Sequence, residues 1–283
     1  MLKRLFKRTL IQILPNLYKA WSFRKLNSFS WKNVKELYLD PELLLLQNLL
    51  VNNEDVFFDI GANKGEFCFM AEKLISPENI YSFEPQPYLF VQLKRMFPQI
   101  RLFSIAISDK ISSSSFKVPI IGTKADDTLG TLETDHIEKN ETAHRLFLVQ
   151  TTTLDAFVQK NNVKKITAIK IDVEGHETKV IAGAQQSIQQ FKPHLMVEIE
   201  QRHHPNQSMA SLLEPYLKMA YNACYFDFKQ MQVVEITDVN QIVQNLSDWG
   251  TRNYINNFIF IHNKQTFLSF IQQVNEKTSF YKT

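Results

Sequence analysis

Short β-rich segments alternate with amphipathic helical segments between residues 55 and 262. Five of them are rich in branched and aromatic residues, as strands are: 55–60, 79–84, 101–107, 166–173 and 194–200. Strands separated by helices indicate βαβ units with right-handed connections, and therefore a mostly parallel sheet. Two further β-rich segments, 222–228 and 231–236, predict a hairpin that pairs antiparallel at one edge. The alternation therefore predicts a Rossmann-like α/β domain.

The domain boundaries are predicted from where this alternation begins. Residues 51–283 are expected to form the Rossmann-like domain, and residues 1–50 an N-terminal helical extension. Helices are predicted at 65–75 and 177–190. The polar, threonine-rich segment 122–140 is predicted to be a loop or lid.

The N-terminal residues have the pattern of an amphipathic helix. Five apolar residues recur at steps of three and four: Leu2, Phe6, Leu10, Ile13 and Leu17. Four basic residues lie on the other side: Lys3, Arg4, Lys7 and Arg8. The favoured interpretation is a helix that packs on the domain or on a partner. The alternative is that residues 1–17 form a peripheral amphipathic helix, which lies on anionic lipid at the inner face of the membrane.

Composition excludes several classes of protein. The net charge of +3 is too small to indicate binding to nucleic acid, and no nucleic-acid-binding motif is present. No apolar run approaches the roughly 20 residues of a membrane-spanning helix. The only cysteines, Cys68 and Cys224, are predicted to be reduced, buried thiols of a cytoplasmic protein.

The segment with the most information is DIGANKG, at residues 59–65, where a strand ends and a helix begins. Gly61 permits a tight turn, and Gly65 is expected to let the helix pack close to the sheet. Asn63 occupies the place of the second glycine in the dinucleotide pattern GxGxxG. Asp59 places a negative charge that disfavours a pyrophosphate and suits an ammonium group.

An acidic residue follows at the end of the second predicted strand. Glu84 lies nineteen positions after Gly65, where a carboxylate can accept hydrogen bonds from ribose hydroxyls. Asp59, the glycines and Glu84 together fit a nucleoside with a charged amino acid tail, as in S-adenosylmethionine. The alternative is an ordinary strand–turn–helix unit with packing glycines and a surface glutamate.

Five segments resemble the FkbM family of S-adenosylmethionine-dependent methyltransferases. They are FFDIGANKGEF (57–67), YSFEPQP (81–87), AISD (106–109), TTTLDAF (151–157) and IKIDVEGHE (169–177). The resemblance covers residues 54–200. It implies a class I methyltransferase fold, with a seven-stranded, mostly parallel sheet whose last strand is antiparallel. It also implies O-methylation of natural products, sugars or glycolipids, with S-adenosyl-L-homocysteine as the product.

The resemblance also implies which residues bind the cofactor. Those expected at the first and second strands are Asp59, Gly61, Ala62, Asn63, Gly65, Glu84 and Pro85. Those expected near the adenine are Ala106, Ser108 and Asp109.

The candidates for a general base follow the strand predicted at 166–173. A hydroxyl is a weak nucleophile, so a carboxylate or an imidazole should accept its proton during methyl transfer. Asp172, Glu174 and His176 are therefore the predicted catalytic residues. The alternative is that Glu174 and Glu177 favour the start of the next helix through its dipole.

A second polar cluster follows the strand at 194–200. Glu198, Glu200 and His203 are predicted to bind substrate at a polar rim suited to sugar hydroxyls. Two glutamates and two histidines could also ligate a divalent metal near Asp172. Because no HExxH-type spacing is present, no metal site is predicted.

These observations predict an S-adenosylmethionine-dependent methyltransferase that acts on a hydroxyl of a sugar, glycan or glycolipid. The alternatives are another acceptor, such as an amine or a small natural product, and a non-catalytic cofactor-binding protein. A nicotinamide-dependent enzyme is disfavoured by the missing GxGxxG pattern. The oligomeric state does not follow from the sequence.

Overall fold

The computed structural model describes residues 10–281. Its N-terminal part is helical at residues 10–13 and then forms four short helices. These are α1 (Pro15–Ser22), α2 (Arg24–Asn27), α3 (Val34–Leu37) and α4 (Glu42–Leu49).

The N-terminal periodicity does not correspond to one continuous helix. Leu14 has non-helical backbone angles, and α1 begins at Pro15, which suits a first helical position. The buried side chains are therefore Ile11 and Tyr18, whereas Ile13 and Leu17 are exposed. Residues 1–9, on which the basic face was predicted, lie outside the described residues.

The main sheet has eight strands in the order β11-β10-β12-β9-β8-β1-β2-β3. The strands are β1 (Phe57–Ile60), β2 (Ile80–Phe83), β3 (Arg101–Phe103), β8 (Ala168–Ile171), β9 (His194–Glu198), β10 (Asn222–Asp227), β11 (Gln232–Glu235) and β12 (Asn257–Ile261). The helices between and after them are α5 (Glu66–Ala71), α6 (Pro87–Met96), α7 (Leu154–Lys160), α8 (Glu177–Ala182), α9 (Gln185–Phe191), α10 (Met209–Lys218) and α11 (Lys264–Thr278).

The strand directions confirm the predicted fold class. Strands β1, β2, β3, β8 and β9 are parallel, and β12 is antiparallel to both β9 and β10. The sheet has eight strands and not the predicted seven, because β11 adds to the edge as the second strand of the predicted hairpin.

A second, smaller sheet is inserted between β3 and α7. Its strands are β4 (Ala106–Ile107), β5 (Ser112–Ile121), β6 (Lys124–Ala125) and β7 (Glu141–Thr152), in the order β4-β7-β5-β6. The sequence did not predict β7, because most of its side chains are exposed and its apolar pattern is weak. Residues 122–140, between the long strands β5 and β7, are called the covering segment below.

Two hydrophobic clusters cover the two faces of the main sheet. One includes side chains of α1–α6 and α11, and the other side chains of α7–α10. The N-terminal helices therefore share a cluster with β1, while the boundary at residue 50 stays a prediction. Cys68 and Cys224 are both free and buried, as predicted. Within residues 10–281, no helix is long and apolar enough to cross a bilayer.

The predicted helix at 177–190 is two helices, α8 and α9, separated at Gly183. A Cβ atom there would lie 2.0 Å from the carbonyl oxygen of Ser108. This close approach brings the 106–109 segment against the α8–α9 turn. Helix α5 is also shorter than the predicted 65–75, since it ends at Ala71.

Candidate active site

The loop after β1 depends on both of its glycines. Gly61 has φ +86°, and a Cβ atom on it would lie 1.8 Å from the carbonyl oxygen of Asp172. Gly65 has φ +88°, and a Cβ atom there would meet the side chains of Leu93 and Phe97 at 2.6 and 2.8 Å. The predicted packing of this helix against the sheet at Gly65 is therefore wrong, because Gly65 allows close packing against α6 and not against the sheet.

Replacing Gly61 by alanine should destabilise the protein by about 3 kcal/mol or more. The residue at position 61 has left-handed backbone angles, which disfavour alanine. The added methyl group would also collide with the backbone of Asp172. Gly122→Ala is the matched control, because Gly122 has φ +62° but nothing within 4 Å of its Cβ position. Urea denaturation should show a cost of only about 1–2 kcal/mol for Gly122→Ala. Equal costs for the two variants would contradict the close approach at Gly61.

Glu84 follows β2 and is 3% exposed, so the interpretation as a surface glutamate is wrong. Its two carboxyl oxygens accept backbone N–H bonds from Asn63 at 2.7 Å and from Gln86 at 2.8 Å. Burial raises the pKa of Glu84 to about 8, although these hydrogen bonds favour the charged form. The carboxyl group thus links the loop after β1 to the loop after β2.

Asp59 lies in β1 beneath this loop and is fully buried. The Cys68 thiol lies 3.4 Å from its Oδ2 atom, and its Oδ1 atom has no hydrogen-bond partner among the described residues. Burial raises the pKa of Asp59, and the nearby positive charge of Lys170 opposes this shift. Lys170 stands beside Asp59 in the register between β1 and β8.

A cleft opens at the carboxyl ends of β1, β2 and β8, where open parallel sheets bind ligands. Five of the predicted cofactor residues line it: Gly61, Asn63, Glu84, Pro85 and Ala106. Its other walls include apolar side chains: Ile60, Phe83, Ile105, Ile107, Phe116, Leu132 and Val173. The other predicted cofactor residues do not line this cleft: Asp59, Ala62, Gly65, Ser108 and Asp109.

The covering segment, predicted as a loop or lid, lies against this cleft. Thr128, Gly130 and Leu132 contribute to the lining. The carbonyl oxygen of Asp127 accepts hydrogen bonds from the side chains of Asn63, at 3.1 Å, and Gln86, at 2.8 Å. The segment is therefore held by residues of the same loops that Glu84 links.

Asp172 follows β8 and lines the same cleft with a 28% exposed side chain. Its Oδ2 atom accepts a hydrogen bond from the Lys170 ammonium at 2.7 Å. Lys170 is almost completely buried, and the charges of Asp172 and Asp59 raise its pKa against the effect of burial. A fixed positive charge therefore lies behind the Asp172 carboxylate.

Glu174 also lines the cleft, but its carboxyl group is engaged elsewhere. Arg202 donates to its Oε2 atom at 3.2 Å, and Thr131 donates to its carbonyl oxygen at 2.7 Å. Burial, together with the charge of Asp172, holds the pKa of Glu174 well above its usual range. Glu177 is the first residue of α8, and its Oε1 atom accepts from the Gly175 N–H, at 3.0 Å, in the turn before the helix.

His176 reaches the cleft with both ring nitrogens engaged. Its Nε2 atom lies 2.9 Å from Ser108 Oγ, and its Nδ1 atom 2.5 Å from Glu133 Oε1. Lys179 donates to the same oxygen of Glu133. The hydrogen bond from His176 and the contact with Lys179 lower the pKa of Glu133 to about 2. His176 therefore connects the 106–109 segment to the covering segment.

A second cleft lies at the carboxyl end of β9 and beside α4. Its side chains are aromatic and polar: Tyr38, Asp40, Glu200, Phe228, Trp249, Arg252, Tyr254 and Asn256. The surrounding protein raises the pKa of Asp40, and the charge of Asp172 raises it further.

Arg252 has a guanidinium group that is only partly engaged. It lies over the rings of Phe228 and Tyr38, with Cζ 4.0 and 4.8 Å from their centroids. One nitrogen, Nη1, donates to the carbonyl oxygen of Val34, whereas Nη2 is buried with no hydrogen-bond partner among residues 10–281. This nitrogen is a free donor beside the cleft.

The three predicted substrate residues are placed differently from one another. Glu200 lines the second cleft, and Glu198 accepts a hydrogen bond from Asn256, which also lines it. His203 lies instead among the carboxyl groups of Glu138 and Glu174, with a side chain that is 3% exposed. Of the three, Glu200 is the one that lines this cleft.

Sequence reasoning missed several polar residues that line the two clefts or contact their surroundings. Lys170 could have been noticed as a lone charge in the buried strand AIKI. Asp40 and Arg252 come from opposite ends of the chain, and no spacing relates them. Glu133 and Glu138 are acids of the polar covering segment, where nothing local distinguishes them from solvated ones.

The strand order and the ligand cleft at the carboxyl ends of its parallel strands define a Rossmann-like domain of the class I methyltransferase type. The Methyltransferase FkbM domain matches residues 59–252, which is more than half of the chain. The chain belongs to the FkbM methyltransferase family, as the sequence motifs predicted.

Two curated relatives share part of this chain. The hexuronic acid methyltransferase AglP of Haloferax volcanii is 26% identical over 165 residues, or 56% of this chain and 62% of the relative. The 2-O-methyltransferase NoeI of Sinorhizobium fredii is 29% identical over 151 residues, or 50% of this chain and 62% of the relative. The chain thus spans less than two thirds of each relative's length.

A solved structure from the same family is also similar. The methyltransferase FkbM from Methylobacillus flagellatus aligns with a TM-score of 0.44 and 14% identity. The alignment covers 90% of this chain and 57% of that one.

Proposed function

We propose that this protein is an S-adenosylmethionine-dependent methyltransferase that methylates a hydroxyl group of a sugar. The observation that carries the proposal is the presence of two clefts, the first of which is lined by Asp172. One cleft bears the glycine loop and Glu84, and the other bears aromatic and hydrogen-bonding side chains. Membership of the FkbM family supports the reaction type, the 2-O-methyltransferase NoeI supports an oxygen acceptor, and the hexuronic acid methyltransferase AglP supports a sugar.

The residues of the first cleft fit S-adenosylmethionine. Glu84 offers a carboxyl group to ribose hydroxyls, and the apolar wall of Phe83, Ile107 and Phe116 suits an adenine ring. Asp59 Oδ1 has no donor among the described residues, but Asp59 lies beneath the loop and does not line the cleft, so its contact with the amino group of the cofactor stays a prediction from the sequence. The bound cofactor supplies an electrophilic methyl group.

Asp172 is the best placed of the three candidate bases. Lys170 occupies its Oδ2 atom, and the Oδ1 atom has no hydrogen bond within the described part of the chain. Glu174 is bound by Arg202 and favours the protonated form, so it is a poor proton acceptor. Both nitrogens of His176 are engaged, so its role is to position the segments around the cleft. Asp172 therefore accepts the proton of the substrate hydroxyl in this proposal.

The second cleft suits a sugar. Tyr38 and Trp249 offer aromatic faces for the apolar faces of a sugar ring, while Asp40, Glu200 and Asn256 offer partners for its hydroxyls. The free Nη2 donor of Arg252 would pair with a carboxylate, which favours an acidic sugar. AglP is described as acting on a hexuronic acid, in agreement with this preference.

The first experiment is isothermal titration of the purified protein with S-adenosylmethionine, S-adenosylhomocysteine and NAD. We expect micromolar binding of the two adenosyl ligands and none of NAD. Transfer of labelled methyl groups to matched glucuronate and glucose glycosides then tests the acceptor, with the glucuronate preferred. An amine acceptor would replace the proposed hydroxyl chemistry. Absence of binding by a folded protein would reject the cofactor assignment.

A further inference from the structure

A buried group of histidine and glutamate side chains lies between the covering segment and the turn after β9. Its members are His136 and Glu138 of the covering segment, Glu174 after β8, and Glu200, Arg202 and His203 after β9. The donor atoms of His136, Glu138 and His203 all lie within 4.8 Å of one another. We propose that His136, Glu138 and His203 bind a divalent transition metal ion.

The two histidines present unpartnered nitrogens to a common point. The Nε2 atoms of His136 and His203 are both buried, and neither has a hydrogen-bond partner among the described residues. The His203 side chain is 3% exposed. A buried imidazole nitrogen without a partner requires a bound water or ion to satisfy it. Both nitrogens face the same carboxyl oxygen, Oε1 of Glu138.

The two distances from Glu138 Oε1 to the histidine nitrogens match edges of a metal coordination tetrahedron. Zinc binds histidine nitrogen at about 2.0–2.1 Å, so tetrahedral ligand atoms are separated by about 3.3–3.4 Å. Glu138 Oε1 lies 3.2 Å from His136 Nε2 and 3.5 Å from His203 Nε2. The Oε2 atom of Glu174 lies 3.6 Å from His203 Nε2. The His136 and His203 rings are perpendicular, at 89°, which allows both nitrogens to approach one ion.

The surrounding charges favour a cation. Arg202 contacts the carboxyl groups of Glu138, Glu174 and Glu200, so three carboxylates surround one guanidinium. The carboxyl groups outnumber the single guanidinium, which favours binding of a cation. Arg202 also fixes Glu138 through two hydrogen bonds of 2.7 and 2.6 Å from Nη1. Such supporting contacts orient a ligand toward a metal.

The backbone positions the ligands as well. A Cβ atom on Gly175 would lie 2.8 Å from Cβ of His203, so the glycine allows His203 to approach the turn that carries Glu174. The buried ammonium of Lys117 donates to the carbonyl oxygen of His136 and to Glu141. Two histidines and a carboxylate suit zinc, cobalt, manganese and iron(II). This assignment differs from the sequence expectation of no metal site, which considered residues 198–204 and Asp172.

The metal site would hold the covering segment over the first cleft. Two of its ligands, His136 and Glu138, belong to that segment, whereas His203 follows β9. Metal binding is tested without methyl transfer, on full-length protein stripped with a chelator. We expect one Co²⁺ per chain by elemental analysis, with a visible absorption band typical of four or five ligands and a raised Tm. Zn²⁺ should displace the Co²⁺ and remove the band.

Single substitutions separate ligands from neighbours. His136→Ala and His203→Ala should each weaken Co²⁺ binding by more than about 100-fold, beyond the effect typical of supporting residues. His204→Ala is the matched control and should bind normally, because His204 faces Glu177 and not the cluster. Glu138→Gln should also lose Co²⁺ binding. Because glutamine keeps the shape of the glutamate side chain, failure to fold would not explain this loss. The proposal is overturned if wild-type protein binds neither Co²⁺ nor Zn²⁺, or if His136→Ala binds them equally well. The histidines would then serve as ion-pair partners of Glu138.

Discussion

Glu84→Ala is expected to weaken binding of S-adenosylmethionine tenfold or more, corresponding to about 1.4 kcal/mol. The substitution removes the carboxyl group that faces the cleft, and also both hydrogen bonds to the loop amides of Asn63 and Gln86. Isothermal titration measures the effect. Glu78→Ala is the matched control, since Glu78 is an exposed acid at the other end of β2. This variant should bind the cofactor as the wild type does.

The pH dependence of binding distinguishes the two roles of Glu84. Its pKa of about 8 means that an increasing fraction of the carboxyl group is ionised between pH 7 and pH 9. The ionised form is the stronger acceptor for ribose hydroxyls, so the affinity of the wild type should rise over this range. Glu84→Gln should bind more weakly and without this rise. An unchanged pH dependence in Glu84→Gln would assign the residue to loop structure alone.

The part of the site that could be predicted is local in sequence. The glycine loop and Glu84 follow directly from where a strand ends, because the carboxyl ends of parallel strands meet at one edge. Even there, the sequence did not predict how deeply Asp59 and Glu84 are buried. Glu84 is tied to two backbone amides, and Asp59 lies beneath the loop and does not line the cleft.

The remainder depends on contacts between distant segments. The role of Lys170 depends on the register between β1 and β8, which places it beside Asp59. Arg252 and Tyr38 meet across the second cleft, although they come from opposite ends of the chain. Strand β7 was missed because pairing with β5, and not its own apolar pattern, makes it a strand. Such pairings are fixed by tertiary packing, which propensity and periodicity do not encode.

Asp172→Asn is expected to lower turnover by about 10²- to 10⁴-fold while leaving cofactor affinity near that of the wild type. Asparagine keeps the shape of the side chain and an oxygen that can accept from Lys170, but it cannot accept the proton of the substrate hydroxyl. Single-turnover transfer of a labelled methyl group measures the rate, and calorimetry measures cofactor affinity. Asp227→Asn is the control, because Asp227 bonds only within the β10–β11 turn through Gln230.

The pattern of losses identifies what Asp172 does. A general base should show a rate that rises with pH in the wild type, and Asp172→Asn should lose that rise. Equal losses of rate and cofactor affinity would instead make the Lys170–Asp172 pair a positioning element, because Asn leaves the buried ammonium with a neutral partner. A wild-type rate in Asp172→Asn would exclude Asp172 as the base. The remaining candidates would then be His176 and Glu174, of which Glu174 would first have to be released by Arg202.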